Sequence, residues 1–401
     1  MRPIKRLIQV DEALRIALAK AEPVKRTEQV SILSSLGRVA AEPIVSRVSV
    51  PPFSRSAMDG YALRASDTFG ASRSRPVLFR VSEVVYAGGV PKKMIAKGVC
   101  AEIATGAMLP EGADAVVMVE NTELKGDSIA ISEPAHPGQH ISRKGEDIEP
   151  GNEIVSKGEV FNPSKIGAVA AIGIERVKVF ARPLVAVVPT GNEIAELGTE
   201  LRPGQVYNIN SYTLSTMVLS NGGEPRITKI VNDSMEELEA VMKANSDCDL
   251  MLFSGGSSVG ERDIMLDVLE KRGEVLYHGV AMKPGKPTLF GVVRKQLVFG
   301  MPGYPTSCLS NAYVFVAPVL RKMARLPSAA PAAVRAHMSK RVVSTTGRTQ
   351  FLTVKLKDGL AHPAFKESGA ITSMAYADGY VVIPADVDLL EKNEEVTVYL
   401  L

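Results

Sequence analysis

Small polar residues, glycines and prolines follow three apolar runs of the chain, within residues 184–193, 250–263 and 297–305. A short apolar run that stops at such residues is typical of a buried parallel strand. In open α/β sheets, ligands bind in the crevice beyond the carboxyl ends of the parallel strands. The three turns therefore predict one crevice that binds an anion.

The turn with the most glycine has the sequence Ser-Gly-Gly-Ser-Ser-Val-Gly and covers residues 254–260. Glycines allow backbone N–H groups to converge on an anion, and a following helix adds its positive end. Asp263 comes soon after this loop. It could cap the helix, or it could share a Mg²⁺ ion with a bound phosphate, and the spacing leaves both interpretations open.

Two lysines, Lys283 and Lys286, flank a Pro-Gly pair and precede Pro287. The prolines restrict the backbone, so the two ammonium groups point into a limited region. Two cations near a glycine-rich loop suit a phosphate or an oxyanion. The alternative is a solvated surface pair, and the neighbouring strand ends favour the ligand role.

Two further acids stand beside predicted strand ends. Glu193 could bind ribose hydroxyls or a metal, or it could stabilise the first turn of a helix. Asp233 precedes Ser234, the first residue of a capping box. It could belong to that cap or be a second metal ligand opposite Asp263.

Polar turns also mark a proline- and glycine-rich part of the chain. Residues 51–61 form an irregular polar stretch that contains Asp59 and is too long for a tight hairpin. Long irregular segments in compact domains are often functional. Thr105 and residues 143–147 lie in similar turns, to which the local sequence assigns no chemistry.

Bulk properties exclude several classes of protein. The chain has 401 residues, 45% of them hydrophobic and 23% charged, with a net charge of +3, which does not indicate a general nucleic-acid binder. No apolar stretch approaches the roughly 18 residues of a membrane helix, and no signal core follows the basic start, so we expect a cytoplasmic protein. The three cysteines are far apart and indicate buried thiols rather than a disulfide framework or a zinc site.

The spacing of apolar and turn residues predicts the organisation of the chain. Residues 1–47 read as helical, with Asp11 capping a first helix and a second helix near residues 30–36. Residues 48–140 carry short β-type runs and predict a small all-β module. A helix at 163–172, which Asn162 or Ser164 would open, could pack back on the N-terminal helices. This packing would make the β module an insertion.

Strands and helices alternate in residues 181–327, which predicts a doubly wound, mostly parallel sheet. The expected helices are at 211–219 (capped by Asn210), 234–243, 264–271 and 306–323, and the expected strands are at 184–188, 227–231, 250–253 and 297–299. After a linker at 324–335, the C-terminal part is rich in β-type runs and turns, and we expect a small β-barrel or β-sandwich there.

Taken together, these motifs resemble those of the molybdopterin molybdenumtransferases, including the E domain of gephyrin and its plant counterparts. The resemblance spans essentially the whole chain and rests on motifs in the family's order: residues 56–62, 105–107, 145–147, 189–193, 254–260 with Asp263, 283–287 and 302–305.

The resemblance implies a homodimer whose subunits have four parts. These are an elongated N-terminal helical and β domain (1–47 and 141–180), an inserted β-rich domain (48–140), an α/β molybdopterin-binding domain (181–327) and a C-terminal β-barrel (328–401). Such enzymes bind adenylylated molybdopterin and, with Mg²⁺ and molybdate, cleave the adenylate, release AMP and leave molybdenum on the pterin dithiolene. The expected partners are a molybdopterin adenylyltransferase or apo-molybdoenzymes, with no nucleic acid and no membrane.

The resemblance also assigns roles to residues of this chain. Asp233 and Asp263 would bind Mg²⁺ and the pyrophosphate, and Lys283 and Lys286 would hold phosphate or molybdate. Asp59 is the remaining catalytic candidate. The other candidates would line the nucleotide and pterin pocket or reach the cleft from the β module, expected to belong to the dimer partner: Thr105, Arg143, Asp147, Thr190, Gly191, Glu193, Ser254, Gly255, Gly256, Ser257, Ser258, Pro302 and Pro305.

Three positions depart from the commonest family pattern. Tyr304 replaces the usual Asn, Ser257 the usual Val, and Ser142 an Arg of some members. These differences could tune the enzyme towards tungstate. A tungstate-preferring paralogue and a non-catalytic carrier of the pterin cofactor therefore remain alternatives. A scaffold role is disfavoured because no second domain is fused, and an adenylyltransferase would need only the sheet domain.

Overall fold

The computed structural model describes residues 7–255, 264–329, 331–366 and 368–401. The chain divides into two compact units. The first unit consists of residues 1–28, 37–39 and 179–401, and the second of residues 29–36 and 40–178. The strands Thr27–Ser31 and Arg176–Phe180 contain points at which the chain passes from one unit to the other.

The first unit contains a six-stranded sheet. Its strands are β1 (Leu184–Pro189), β2 (Glu224–Ile227), β3 (Leu250–Ser254), β4 (Glu274–His278), β5 (Leu289–Val293) and β6 (Gln296–Met301). Their order is β2-β1-β3-β6-β5-β4. The first four strands in this order are parallel to one another. Strand β5 pairs antiparallel with β6, and β4 pairs antiparallel with β5. The chain passes from β1 to β2 on one side and returns to β3 on the other, so the order reverses beside β1.

Alternate residues of the parallel strands enter two separate cores. Val185 and Val187 of β1 face one core, whereas Ala186 and Val188 face the other. The first core is closed by the helices Val10–Lys20, Asn210–Ser220, Pro305–Asn311 and Ala317–Met323. The second core is closed by Met235–Ala244 and Ile264–Arg272. Burial on both faces explains the uninterrupted apolar runs of these strands, and the doubly wound, mostly parallel sheet is confirmed.

Two predicted helix caps were wrong. Asp11 lies inside the first turn of Val10–Lys20, where its charge favours the positive end of the helix, and Gln9 occupies the cap position. Asn210 is the first residue of its helix, and the side chain of Asn208 accepts a hydrogen bond from Ser211 N at 3.2 Å. Asn210 instead donates to the carbonyl oxygen of Gly303.

Three predicted elements differ from the structure in type or extent. The expected helix at 30–36 is the end of strand Thr27–Ser31 followed by the 3₁₀ turn Leu33–Ser35. A strand is expected at 227–231, whereas the observed strand is Glu224–Ile227 and ends where the expected one begins. The expected helix at 306–323 contains a π-helical turn, Ala312–Val316, just before Pro318, whose missing N–H cannot complete a regular helical ladder.

The C-terminal part of the first unit is a closed five-stranded barrel, as predicted. Strand Thr349–Lys357 pairs with both Leu360–Pro363 and Gly379–Ile383, and the other pairings complete the ring. The remaining barrel strands are Ala333–Met338 and Glu395–Leu400; Val342–Val343 pairs with Leu389–Leu390, and the helix is Thr372–Ala375. The two-residue strand Met282–Lys283 joins the barrel by pairing with Thr349 and Gln350.

The second unit contains a mixed six-stranded sheet with a core on each face. In spatial order its strands are Ala115–Met118, Gly60–Leu63, Val99–Ile103, Val77–Val85, Ser128–Ile131 and Thr122–Lys125. Two short ribbons, Ile44–Val45 with Glu153–Val155 and Arg55–Ser56 with Ile141–Ser142, lie outside this sheet. Helix Pro163–Ala171 begins at Asn162, whose side chain accepts from Lys165 N at 2.9 Å, as the sequence allowed.

The cysteines Cys100, Cys248 and Cys308 are buried and form no disulfides. Burial raises the pKa of the Cys100 thiol to about 12 and that of Cys248 to about 11, so both are protonated near neutral pH. Within the described residues, none of the helices combines the length and the apolar character needed to span a bilayer.

The sheet of the second unit depends on a glycine at position 60. A Cβ atom there would overlap the carbonyl oxygen of Val117 on the neighbouring strand, whereas a Cβ at the helical Gly167 would meet no atom within 4 Å. We expect Gly60→Ala to lower the free energy of unfolding by about 2 kcal/mol or more. Gly167→Ala should raise it by about 0.5–1 kcal/mol, because alanine favours a helix. Urea unfolding of both variants checks this, and equal stabilities would contradict it.

Candidate functional site

The three predicted turns lie side by side at one edge of the sheet. Pro189 of β1 is in register with Ser254 of β3, and Ser254 with Met301 of β6. Just beyond the strands, Thr190 N donates to Ser254 O at 3.0 Å and Gly255 N to Met301 O at 3.4 Å. The turns that follow β1, β3 and β6 therefore share one crevice edge, next to the point where the strand order reverses.

Glycines allow the turns at this edge to approach closely. Gly255 has φ +116°, and a Cβ atom at this position would overlap the carbonyl oxygen of Thr190. A Cβ at Gly303, in the turn after β6, would lie 3.7 Å from Gly255 Cα. At Gly191, with φ +139°, it would lie 2.7 Å from a carboxylate oxygen of Glu193, so the side chain of Glu193 folds over this turn.

A small polar cavity opens beside the ends of β1 and β3. Its volume is about 40 Å³, and its walls include Thr190, Asp233 and Gly255. The hydroxyl oxygens of Thr190 and Ser254 are buried and have no hydrogen-bond partner among the described residues. An unsatisfied buried polar group costs about 1–3 kcal/mol, so both hydroxyls are suited to bind a ligand or a water. The cavity has room for a water or a cation.

Two residues that line this cavity carry oxygen atoms that could bind a cation. The carboxylate of Asp233 and the hydroxyl of Thr190 are the hard oxygen ligands that Mg²⁺ prefers. Within the described ranges, no group of three or more His, Cys, Asp and Glu side chains could hold a metal ion. Four candidates, Gly256, Ser257, Ser258 and Asp263, lie outside the described residues. The part that is described therefore fits a cation held by one carboxylate and further oxygen ligands.

The turn that carries Lys283 and Lys286 is fixed through its backbone. Lys283 pairs with Gln350 of the barrel, and its Nζ lies 3.4 Å from Thr345 Oγ1. The carbonyl oxygen of Lys286 accepts from Val280 N and Thr288 N, both at 2.9 Å. Both side chains are partly exposed, and neither ammonium group has a carboxylate partner in the described part of the chain. Their charges remain available for an anion.

One buried amide behind the lysine turn was not predicted from the sequence. Asn311 is fully buried at the end of helix Pro305–Asn311. Its Nδ2 donates to Ser307 O at 2.8 Å and Gly285 O at 3.3 Å, and its Oδ1 accepts from Thr288 Oγ1 at 2.7 Å. The available signal was a single amide in an otherwise apolar stretch of the predicted helix.

Pro302 and Pro305 frame the turn between β6 and the next helix. Pro305 occupies the first helical position, where a missing N–H costs nothing. Between them, the carbonyl oxygen of Gly303 accepts from Asn210 Nδ2 at 2.8 Å, and the side chain of Tyr304 is 66% exposed. The backbone of the turn is therefore held by the hydrogen bond from Asn210, while the side chain of Tyr304 is exposed to solvent.

In the second unit, two of the predicted motifs are in direct contact. The carboxylate of Asp59 accepts from Thr105 N at 2.7 Å and from Thr105 Oγ1 at 2.9 Å. These bonds, the backbone one first, lower the pKa of Asp59 below its usual range. Gly106 N also donates to Ser56 O at 2.8 Å. The pair presents an exposed carboxylate whose ionised form is favoured by neutral donors, with no salt-bridge partner in the described part of the chain.

Arg143 and Asp147 lie on a loop tied to the segment that precedes Asp59. Gly145 N donates to Pro51 O, and Asp147 N to Val50 O, both at 3.0 Å. Both candidates are exposed, and neither bonds to Asp59 in the described structure. The fold of the second unit thus brings the backbones of these motifs together but leaves their side chains separate.

Three family models match successive parts of the chain. They are the MoeA N-terminal region (domain I and II) at residues 8–173, a probable molybdopterin binding domain at 186–322 and the MoeA C-terminal region (domain IV) at 335–401. A putative molybdopterin biosynthesis protein of Methanocaldococcus jannaschii is 34% identical, and the match covers 100% of both chains. The chain belongs to the MoeA family.

Other MoeA relatives agree with this assignment. A molybdopterin molybdenumtransferase of Staphylococcus epidermidis is 31% identical over 94% of this chain and 91% of its own length. The crystal structure of a MoeA protein from Pyrococcus horikoshii is 44% identical, covers 98% of this chain and 99% of its own, and superposes with a TM-score of 0.85. The resemblance, the fold class and the prediction of an enzyme are confirmed. The domain limits and the residue roles stay predictions.

The hydrogen bonds between Thr105 and Asp59 predict a measurable change in titration. Thr105→Val removes the hydroxyl donor, so we expect the pKa of Asp59 to rise towards its ordinary value in an NMR titration of the carboxyl carbon. A lowered pKa in an acid stabilises the fold at neutral pH, and this stabilisation is lost as the pH falls through that pKa. The variant should therefore be destabilised more at neutral than at acidic pH.

Thr122→Val is the matched control, because the hydroxyl of Thr122 donates to Val119 O rather than to a carboxylate. It should leave the titration of Asp59 unchanged. An unchanged Asp59 pKa in Thr105→Val would show that the hydroxyl bond does not lower the pKa of this carboxylate.

Proposed function

We propose that this chain is a molybdopterin molybdenumtransferase that inserts molybdate into adenylylated molybdopterin. In the proposed reaction the adenylate linkage is cleaved with the help of Mg²⁺, AMP is released and molybdenum remains on the pterin dithiolene. One observation carries the proposal: three turns rich in glycine and proline lie side by side where the strand order of the sheet reverses. The chain that contains them is similar over most of its length to proteins named molybdopterin molybdenumtransferase.

The proposed substrate is an anion with two bridged phosphates and two flat ring systems. Its phosphates need donors that carry no competing carboxylate. The ammonium groups of Lys283 and Lys286 meet this need, because no acid pairs with them among the described residues. The buried hydroxyls of Thr190 and Ser254 would provide further hydrogen bonds, and Glu193 would accept from ribose hydroxyls.

Cleavage of the linkage concentrates negative charge on the departing phosphate oxygen. Fixed cations that face this oxygen stabilise the transition state more than the ground state. Lys283 and Lys286 are suited to this role because the backbone of their turn is already ordered. A Mg²⁺ ion held by Asp233 and Asp263 would act as a Lewis acid on the phosphate oxygens.

In the proposed homodimer, the second unit of the partner subunit would contribute an ionised carboxylate at position 59 and the polar groups at positions 105, 143 and 147. Neutral donors keep Asp59 charged, so this carboxylate could orient a nucleophile or a hydrated cation without first breaking an ion pair. The homodimer expected for the family is part of this proposal.

The first test is AMP release from adenylylated molybdopterin with Mg²⁺, with and without molybdate or tungstate. We expect AMP to appear only when Mg²⁺ and an oxyanion are both present. A higher kcat/KM with tungstate would identify a tungstate enzyme. Tight binding of the pterin with no AMP under any condition would rule out the transferase and support a carrier of the cofactor.

A second test concerns the carboxylate beside the small cavity. Asp233→Asn keeps the shape but removes the charge, and we expect kcat to fall on the order of 100-fold with a weaker dependence on Mg²⁺. Asp358→Asn is the control, because Asp358 lies in an exposed barrel turn at φ +51°, which asparagine tolerates. Equal activities of the two variants would exclude a metal-binding role for Asp233.

A further inference from the structure

The proposed reaction needs two lysines at a defined place, yet Lys286 lies in a turn and Lys283 only ends the two-residue strand Met282–Lys283. At one end of the turn, Lys283 pairs with Gln350 of the barrel. At the other end, the carbonyl oxygen of Lys286 accepts hydrogen bonds from Val280 N and Thr288 N. Its tip is Gly285, with φ +104°. What holds the tip therefore decides where the ammonium groups lie.

The tip of the lysine turn rests on the buried amide of Asn311. Asn311 Nδ2 donates to Gly285 O at 3.3 Å, and a Cβ atom at Gly285 would overlap this amide nitrogen. The hydroxyl of Thr288 lies 2.8 Å from Gly285 O and 2.7 Å from Asn311 Oδ1. Both Asn311 and Thr288 are fully buried, so these bonds are not exchanged with water.

The same amide also bonds within the helix that follows the turn after β6. Asn311 ends the short helix that begins at Pro305, directly after the turn that follows β6. Its Nδ2 also donates to Ser307 O of this helix at 2.8 Å. A single side chain thus links the helix that follows the turn at 302–305 to the lysine turn, which is 26 residues away in sequence.

We propose that Asn311 is a positioning residue that holds Lys283 and Lys286 in register with the turn after β6. The inference rests on the proposed function, because it assumes that the two ammonium groups meet the phosphate or the oxyanion. Asn311 acts through the carbonyl oxygen of Gly285 and the hydroxyl of Thr288 and does not itself touch the substrate. Without it, the lysine turn would lose its internal anchor while the ends of the turn stayed in place.

The test compares Asn311→Ala with Gln296→Met. Gln296 is a buried amide at the start of β6, and its Nε2 donates to Asn245 O at 2.8 Å and Cys248 O at 2.7 Å. Both variants lose a buried amide with its backbone hydrogen bonds, but Gln296 lies at the opposite end of the strand from the crevice. Comparison of the two variants therefore distinguishes a general loss of protein stability from a displacement of the lysine turn.

We expect kcat/KM for molybdate, measured by AMP release, to fall on the order of 100-fold in Asn311→Ala and less than about threefold in Gln296→Met. Amide hydrogen exchange of the peptide at 283–288 should be on the order of tenfold faster in Asn311→Ala only. Thr288→Val, which keeps the shape of the side chain, should change both readouts in the same direction by less. This milder variant keeps the test informative if Asn311→Ala fails to fold.

Equal exchange and equal kinetics in the variants at 311 and 296 would overturn the inference. Faster exchange with unchanged kinetics would also overturn it, because the lysine turn would then not need its anchor for the reaction. A wild-type protein that releases no AMP would instead count against the proposed function. The exchange comparison would still decide whether Asn311 holds the turn.

Discussion

The structure of the crevice depends on one close approach between backbones. Gly255 stands so near the carbonyl oxygen of Thr190 that a Cβ atom would overlap it. Because no side chain separates these turns, Thr190 N reaches Ser254 O and Gly255 N reaches Met301 O. The ends of β1, β3 and β6 then form a continuous polar edge. A bulkier residue at 255 would push the first two turns apart and remove the small cavity beside Asp233.

The apolar strands below this edge keep it in place, while some of its buried polar groups lower the stability of the fold. All residues of β3 and β6 are buried, and the strands are covered on both faces by helices. The hydroxyls of Thr190 and Ser254 have no hydrogen-bond partner among the described residues, and an unpaired buried hydroxyl costs about 1–3 kcal/mol, which the burial of the strands can offset. Local rules of folding are commonly broken at functional sites, where a ligand supplies the missing partner. The two orphan hydroxyls lie where the sequence predicted the crevice.

The sequence predicted what depends on nearby residues. Apolar runs that stop at glycine located β1, β3 and β6 and hence the crevice, and Asn162 was recognised as a cap because its partner is three residues away. The caps at Asp11 and Asn210 were wrong because shifts of one or two residues in a helix start leave the local pattern nearly unchanged. Asn311 could not be found because its partner Gly285 is 26 residues away, and only the fold brings them together.

In both units, neutral hydrogen-bonding groups hold the charged candidate residues or the turn that carries them. Asp59 is held by the N–H and hydroxyl of Thr105, and the lysine turn by backbone bonds and a buried amide, so neutral groups fix the position of each charge. An ion pair would also fix a side chain, but it would cancel the charge that a substrate needs and would have to break before binding. Neutral support avoids this competition. Its weakness is that the loss of one amide or hydroxyl can shift a charge without removing it. Under the proposed function, substitutions at 311 or 105 would therefore change activity while every charged residue is still present.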